Sequence, residues 1–421
     1  MKSNLFENEF MDLVKKQQIL QWENYAKGKN NNLNRVNKLI FEYINNNYNK
    51  SMFSGRKKDY FSKLALKYQI ENDSEIAYLR NKLDDKKNYI SSDFSDQSNS
   101  DYKLELSKRM SSDVVNIIKL RNYKARELEF ASYPDLIFHT EELEKDCVVK
   151  SIKNFLDKNL SKANLLIEKY NLSWDNWFTN LREAGQLKNI DPEYYIENFL
   201  DKLNLNHIRS GLKFDFIKQP ISGIAFCISS PEDIRILLKP LDSIFQCKTL
   251  FHETGHGINY TSNQADGIYN LFTNSFDETM AVIWDNIGIK ICLSDQEQEI
   301  AKDIKLLEAI RTAISFLFEI KLWKNPESAE VLFEQYYSKL DITMSNPKLW
   351  SLDSFRYIDP VYVYNYSLGE IYAKKIISIL ERNFAKNYLE WGNILTKHFL
   401  HDGMEESWIN KYNSFKEVYE V

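Results

Sequence analysis

His252, Glu253 and His256 stand in the arrangement His252-Glu253-Thr254-Gly255-His256, and these residue types at this spacing can bind and use a metal ion. On a helix, residues four apart project from one face, so both imidazoles can reach a single ion. The residue after the first histidine then lies beside the ion, where the Glu253 carboxylate can take a proton from water. Zinc in a hydrolytic site usually has three protein ligands and one open position. Glu278, 22 positions beyond His256, leads for the third place on spacing, with Asp266, Asp277 and Asp285 as alternatives. The competing interpretation is a pair of helix histidines with no metal at all.

Such a site needs two helices to carry it. Residues 243–251, leading into the motif, have helical character and contain no Gly or Pro. Gly255 costs about 1 kcal/mol of helix propensity relative to Ala. Its missing side chain would let another backbone pack closely against the metal helix. Residues 275–284 show a helical apolar pattern, so a second helix can return past the first, with Gly267 in the connecting loop. Residues 212–239 differ, because Leu212–Phe216 alternates and 221–228 and 234–238 have strand composition. A small sheet is expected there, forming one wall of the metal cleft.

Elsewhere the periodicity predicts helices at about 103–130, 146–170 and 301–323, the last stopping before Pro326. Asp191-Pro192 reads as a helix start. Residues 1–88 read as polar, Asn- and Lys-rich helices, and the Ser- and Asp-rich stretch 90–102 as a linker. These features divide the chain into a helical N-terminal region, 1–120, and a region carrying the metal motif, 121–421.

With 421 residues, 43% of them hydrophobic, the chain can bury a large core and form two lobes. Twelve Gly and eight Pro favour long helices over many turns. A net charge of −5, with both signs interspersed, gives no sign of a nucleic-acid partner. Cys147, Cys227, Cys247 and Cys292 form no close pair and suit a reducing compartment. The N-terminus lacks an apolar signal core, and no run approaches the roughly 20 apolar residues of a membrane-spanning helix. The expected location is cytoplasmic.

Several stretches, in order over residues 120–421, are similar to the thimet oligopeptidase and oligoendopeptidase F family of zinc peptidases. They are Ala125–Tyr133, Gly223–Cys227, Leu250–His256, Phe276–Glu278, Tyr362–Gly369 and Phe399–Gly403. The resemblance implies a mainly α, two-lobed peptidase with a deep cleft and a small sheet beside the metal helix. It implies one zinc per chain, held by His252, His256 and Glu278, with Glu253 as the base. It further implies that Gly223 and Ala225 lie on a strand that holds an extended peptide. On pattern alone Tyr362, Tyr364 and Tyr366 look like buried rings. The resemblance instead puts Tyr366 at the developing oxyanion and Tyr364 beside the substrate.

Three departures from that family's pattern stand out. Asn259 takes the place of a histidine three positions after the second ligand. Arg356 stands where another histidine is usual, and can replace it as a donor or bind a substrate carboxylate. The chain is also short before residue 240. The leading expectation is a zinc endopeptidase or oligopeptidase acting on short or unfolded peptides. The reduced size also motivates a processing peptidase dedicated to one leader peptide or partner. A peptide-binding protein with decayed catalysis fits less well, because the metal and base positions are intact.

Overall fold

A computed structural model of the chain describes residues 2–28, 33–93, 100–174, 176–187, 190–217, 221–342 and 346–420. The fold is predominantly helical, with one three-stranded sheet among the described residues. No helix among them is long and apolar enough to cross a membrane.

The chain forms two compact units, each assembled from separate stretches. The first comprises Met1–Ala65, Arg182–Ile304 and Gly369–Val421, and the second Leu66–Leu181 and Lys305–Leu368. The linear division expected near residue 120 falls inside the helix Ser100–Glu127. The observed boundaries fall inside helices as well, among them Gly55–Glu71 and Asp295–Lys324. Composition marks exposed linkers, and it carries no mark where the chain passes between units in mid-helix. The expected linker at 90–102 is similarly narrowed. Helix Ser74–Asp93 covers its start, Ser100–Glu127 covers its end, and 94–99 lie outside the described residues. Ser and Asp cost only tenths of a kcal/mol in a helix, which burial of Tyr102, Leu106 and Met110 outweighs.

In the first unit, strands β1 (Leu212–Phe216), β2 (Gly223–Ser229) and β3 (Asp233–Leu238) form a sheet of order β1-β3-β2. β1 runs parallel to β3 and β2 antiparallel to it, with Gly223 opposite Leu238 and Ala225 opposite Ile236. β2 therefore lies at an edge. Side chains alternate along it. Phe226 and Ile228 form an apolar cluster with Leu237, packed by Ile19, Trp22 and Ala26 of the helix Lys2–Lys27. Gly223 lies on the opposite face, against the helix Ile244–Ser262.

That helix, which carries the motif, starts at Ser243, whose hydroxyl accepts from the Gln246 N–H and satisfies one orphan donor of the first turn. It runs beside the helix Asn274–Cys292. The contact is tight at Gly255, where an added Cβ would lie 2.9 Å from Trp284 Cβ and 3.1 Å from Ala281 Cα. The glycine thus gives up helix propensity for close packing between the two helices.

In the second unit, aromatic and aliphatic side chains fill the space between helices. Phe333 stacks on Tyr337 at 4.1 Å, Phe318 meets Phe333 edge-on at 5.5 Å, and Tyr133 stacks on Trp323 at 4.8 Å. Rings of this size bury large apolar areas, and these packing geometries add to that burial.

Candidate metal centre

The two neighbouring helices of the first unit bring three ligating side chains together. One ligand atom each from His252, His256 and Glu278 can be chosen so that all lie within 4.8 Å of one another. His252 Nε2 is 3.2 Å from Glu278 Oε2, and His256 Nε2 is 3.9 Å from Glu278 Oε1. The imidazoles stand almost perpendicular, at 88°, with centroids 4.9 Å apart. One turn of helix between the histidines produces this arrangement, and Glu278, just past the first turn of Asn274–Cys292, completes it.

The opposite edge of each ring faces another carboxylate. Asp285 Oδ2 lies 3.5 Å from His252 Nδ1, and Asp277 Oδ1 lies 3.0 Å from His256 Nδ1. The Nε2 atoms are thereby left toward Glu278. This is the usual arrangement behind metal-bound histidines, whose second nitrogen pairs with a carboxylate or carbonyl. Asp277 and Asp285, which spacing left open as third ligands, stand behind the imidazoles instead. Sequence spacing did carry one signal for this: Asp285 lies two helical turns beyond Glu278, on the same face.

The electrostatics favour a cation. Burial opposes charge on both imidazoles, yet the neighbouring carboxylates more than offset it. Asp285 and Glu278 raise His252 to about 10, and Asp277 and Glu278 raise His256 to about 9. Glu253 is also buried, and burial raises its carboxyl above the ordinary range. Four acids, Glu253, Asp277, Glu278 and Asp285, thus surround two imidazoles, which hold protons in the metal-free chain that a cation can displace. Two imidazole nitrogens and a carboxylate amid surplus negative charge fit a divalent cation.

Gly223 sits against this centre. A Cβ there would come within 2.7 Å of Glu253 Cγ and 2.8 Å of Thr249 Cγ2. Only a residue without a side chain lets the start of β2 approach the carboxylate that follows the first histidine. Ala225, two positions on, shares that face by alternation.

The remaining candidates belong to the second unit. Tyr366, half-buried, rests near the rings of Phe355 at 6.3 Å and Tyr362 at 5.9 Å. Tyr364 starts the helix Tyr364–Phe384 fully buried, its ring 4.8 Å from Phe138 and 5.4 Å from Phe316. Arg356 is 1% exposed. Its Nη2 donates to Ser315 Oγ at 2.5 Å and lies 3.1 Å from Asp353 Oδ2, while Nη1 is 3.4 Å from Glu319 Oε2. The expectation that Tyr364 and Arg356 face substrate is therefore corrected. Aromatic packing encloses the first, and an internal counterion consumes the second.

No known family model matches the sequence, and no curated relative matches it. Solved structures, in contrast, match it along its whole length. An M32 carboxypeptidase from Deinococcus radiodurans R1 superposes with a TM-score of 0.69 at 11% identity, covering 100% of this chain and 99% of that one. PZ peptidase A gives 0.66 at 13% identity, over 97% of this chain and 83% of that one. A Bacillus anthracis protein assigned to oligoendopeptidase F gives 0.63 at 13%, over 97% and 85%. The chain has the mainly helical fold of these peptidases, which include the oligoendopeptidase F group that its sequence resembles.

Proposed function

We propose that the chain is a zinc-dependent peptidase that cuts short or unfolded peptides internally. The observation that carries this reading is the convergence of His252, His256 and Glu278, with Glu253 beside them, at one point where all but the partly exposed His252 are buried. The peptidases that share the fold support the same class of reaction. Zinc is the cation of choice because two imidazoles and one carboxylate are its usual hydrolytic ligand set. When bound, it would supply a Lewis acid that makes water nucleophilic near neutral pH.

The chain's own residues then divide the work. Glu253 accepts the proton of the attacking water and returns it to the leaving amine. Its burial keeps the carboxylate poorly solvated and therefore a stronger base than an exposed one. The start of β2, with Gly223 and Ala225, aligns an extended peptide along the edge of the sheet through main-chain hydrogen bonds. Tyr366 is assigned as donor to the oxygen that gains charge, on the family resemblance alone.

Internal cleavage is favoured because Arg356, the suggested receptor for a substrate carboxylate, is committed to Glu319 and Asp353. A carboxypeptidase mode is the second reading, since the M32 carboxypeptidase is matched over 99% of its length. Metal analysis combined with cleavage of a quenched peptide library tests the proposal. Near-stoichiometric zinc and cleavage of peptides with amidated C-termini are expected. Cleavage confined to free C-termini selects the second reading, and zinc-loaded protein with no cleavage ends both. Tyr366→Phe is expected to lower kcat about a hundred- to thousandfold with zinc retained. Unchanged kcat removes Tyr366 from the site.

A further inference from the structure

The residues behind His256 carry an inference that rests on the metal reading above. Asn259 occupies the place of a histidine in the family that the sequence resembles, yet its amide has no N–H left for substrate. Its Nδ2 donates to Asp277 Oδ1 at 2.7 Å and to the Asp277 carbonyl at 3.1 Å. Its Oδ1 accepts from Trp284 Nε1 at 3.0 Å, and the residue is fully buried. The next residue, Tyr260, donates its hydroxyl to the other carboxylate oxygen, Asp277 Oδ2, at 2.5 Å. Asp277 Oδ1 in turn lies 3.0 Å from His256 Nδ1.

The spacing explains why these contacts close on themselves. Asn259 and Tyr260 lie three and four positions after His256, so they share its face of the metal helix. Asp277 immediately precedes Glu278 in the first turn of the neighbouring helix, where the helix N-terminus favours negative charge. One helical turn thus presents one carboxylate to the ion and another to the back of its ligand. We propose that Asp277 is a positioning residue of the metal centre. Held by Asn259 and Tyr260, it orients the His256 ring with Nε2 toward the ion, and its charge raises the basicity of that nitrogen. The amide at 259 is then a brace that replaces a side chain of another role.

Zinc affinity, measured by competition with a chromogenic chelator, and the visible spectrum of the cobalt(II)-substituted protein test this in wild type, Asp277→Ala and Asp277→Asn. Asp277→Ala is expected to weaken zinc binding about ten- to a hundredfold. It should also alter the cobalt spectrum, while helical circular dichroism of the metal-free protein stays as in wild type. Asp277→Asn, nearly isosteric, keeps an acceptor oxygen but loses the charge, and should lose several-fold in affinity, less than Ala. Wild-type zinc affinity in the Ala variant overturns the proposal. If that variant does not fold, wild-type affinity in the Asn variant overturns it. Failure of the wild-type protein itself to bind zinc would instead remove the metal reading, leaving the two failures distinct.

Discussion

Each unit of the molecule buries a cluster of charged groups, and the two clusters resolve their charge in different ways. In the second unit, Glu319 and Arg356 are both buried, and the guanidinium lies 5.0 Å over the Phe318 ring. Burial pushes Glu319 up to about 7, against the opposing effect of Arg356. The chain supplies its own permanent cation there, and the cluster is closed. In the first unit, four acids surround two imidazoles, whose own charge comes and goes with a proton. The difference separates a structural ion pair from a binding site more clearly than burial or charge alone does. A buried charge whose counterion belongs to the same chain is part of the core, whereas a buried surplus of one sign calls for a partner from solution.

The largest expected effect lies in the open cluster. Glu253→Gln removes one negative charge without touching a ligand, so zinc should remain bound. Peptide hydrolysis should fall by about a hundred- to ten-thousandfold, the scale for losing a general base. Steady-state assays alongside zinc analysis check both halves. Wild-type turnover would show that some other group accepts the proton. Loss of zinc would show that Glu253 belongs to the ligand set.

The closed cluster should respond in stability, with no change in its chemistry. Arg356→Ala leaves Glu319 buried without its cation, and breaking a buried pair from one side typically costs about 3–5 kcal/mol. That cost applies where the remaining partner is ionised, here above about pH 7, and is less below it. Chemical denaturation should show that loss, while zinc content and kcat of the folded protein stay near wild type. If stability holds and KM rises for peptides with free C-termini only, Arg356 reads substrate after all. The contrast between the clusters would then be wrong.

Local signals in the sequence carried most of the metal-bearing half. The helix expected through 243–251 is seen as Ile244–Ser262, that at 275–284 within Asn274–Cys292, and the strand at 212–216 with those bounds. Period and Gly or Pro punctuation act over a few residues, and these elements needed nothing more. Glu278 could be preferred but not separated by spacing from Asp277 and Asp285, because neighbouring acids differ only in where the helix face points them. Arg356 was misjudged for a related reason. An arginine is seldom fully buried unless paired, and its partner Glu319 lies on a different helix, so the pairing exists only in three dimensions. The two interleaved units were invisible for the same reason.

The smallest effect concerns how the closed cluster answers to pH. Glu319 titrates near 7 in the folded chain and near its ordinary 4.5 when unfolded, so the folded state holds a proton that the unfolded state releases between those values. Stability should therefore fall as pH rises from about 4.5 to 7 and level off above. One proton corresponds to a slope of at most about 1.4 kcal/mol per pH unit. Glu319→Gln removes this titration yet keeps an oxygen that can accept the Val361 N–H, which the carboxylate binds at 2.8 Å. Denaturant unfolding of both proteins at pH 5, 6 and 7.5 should show the wild type losing stability relative to the variant across that series. Parallel profiles would mean that Arg356 keeps Glu319 ionised throughout. The closed cluster would then be a full ion pair over the whole range, and the protonated carboxyl would drop out of the comparison.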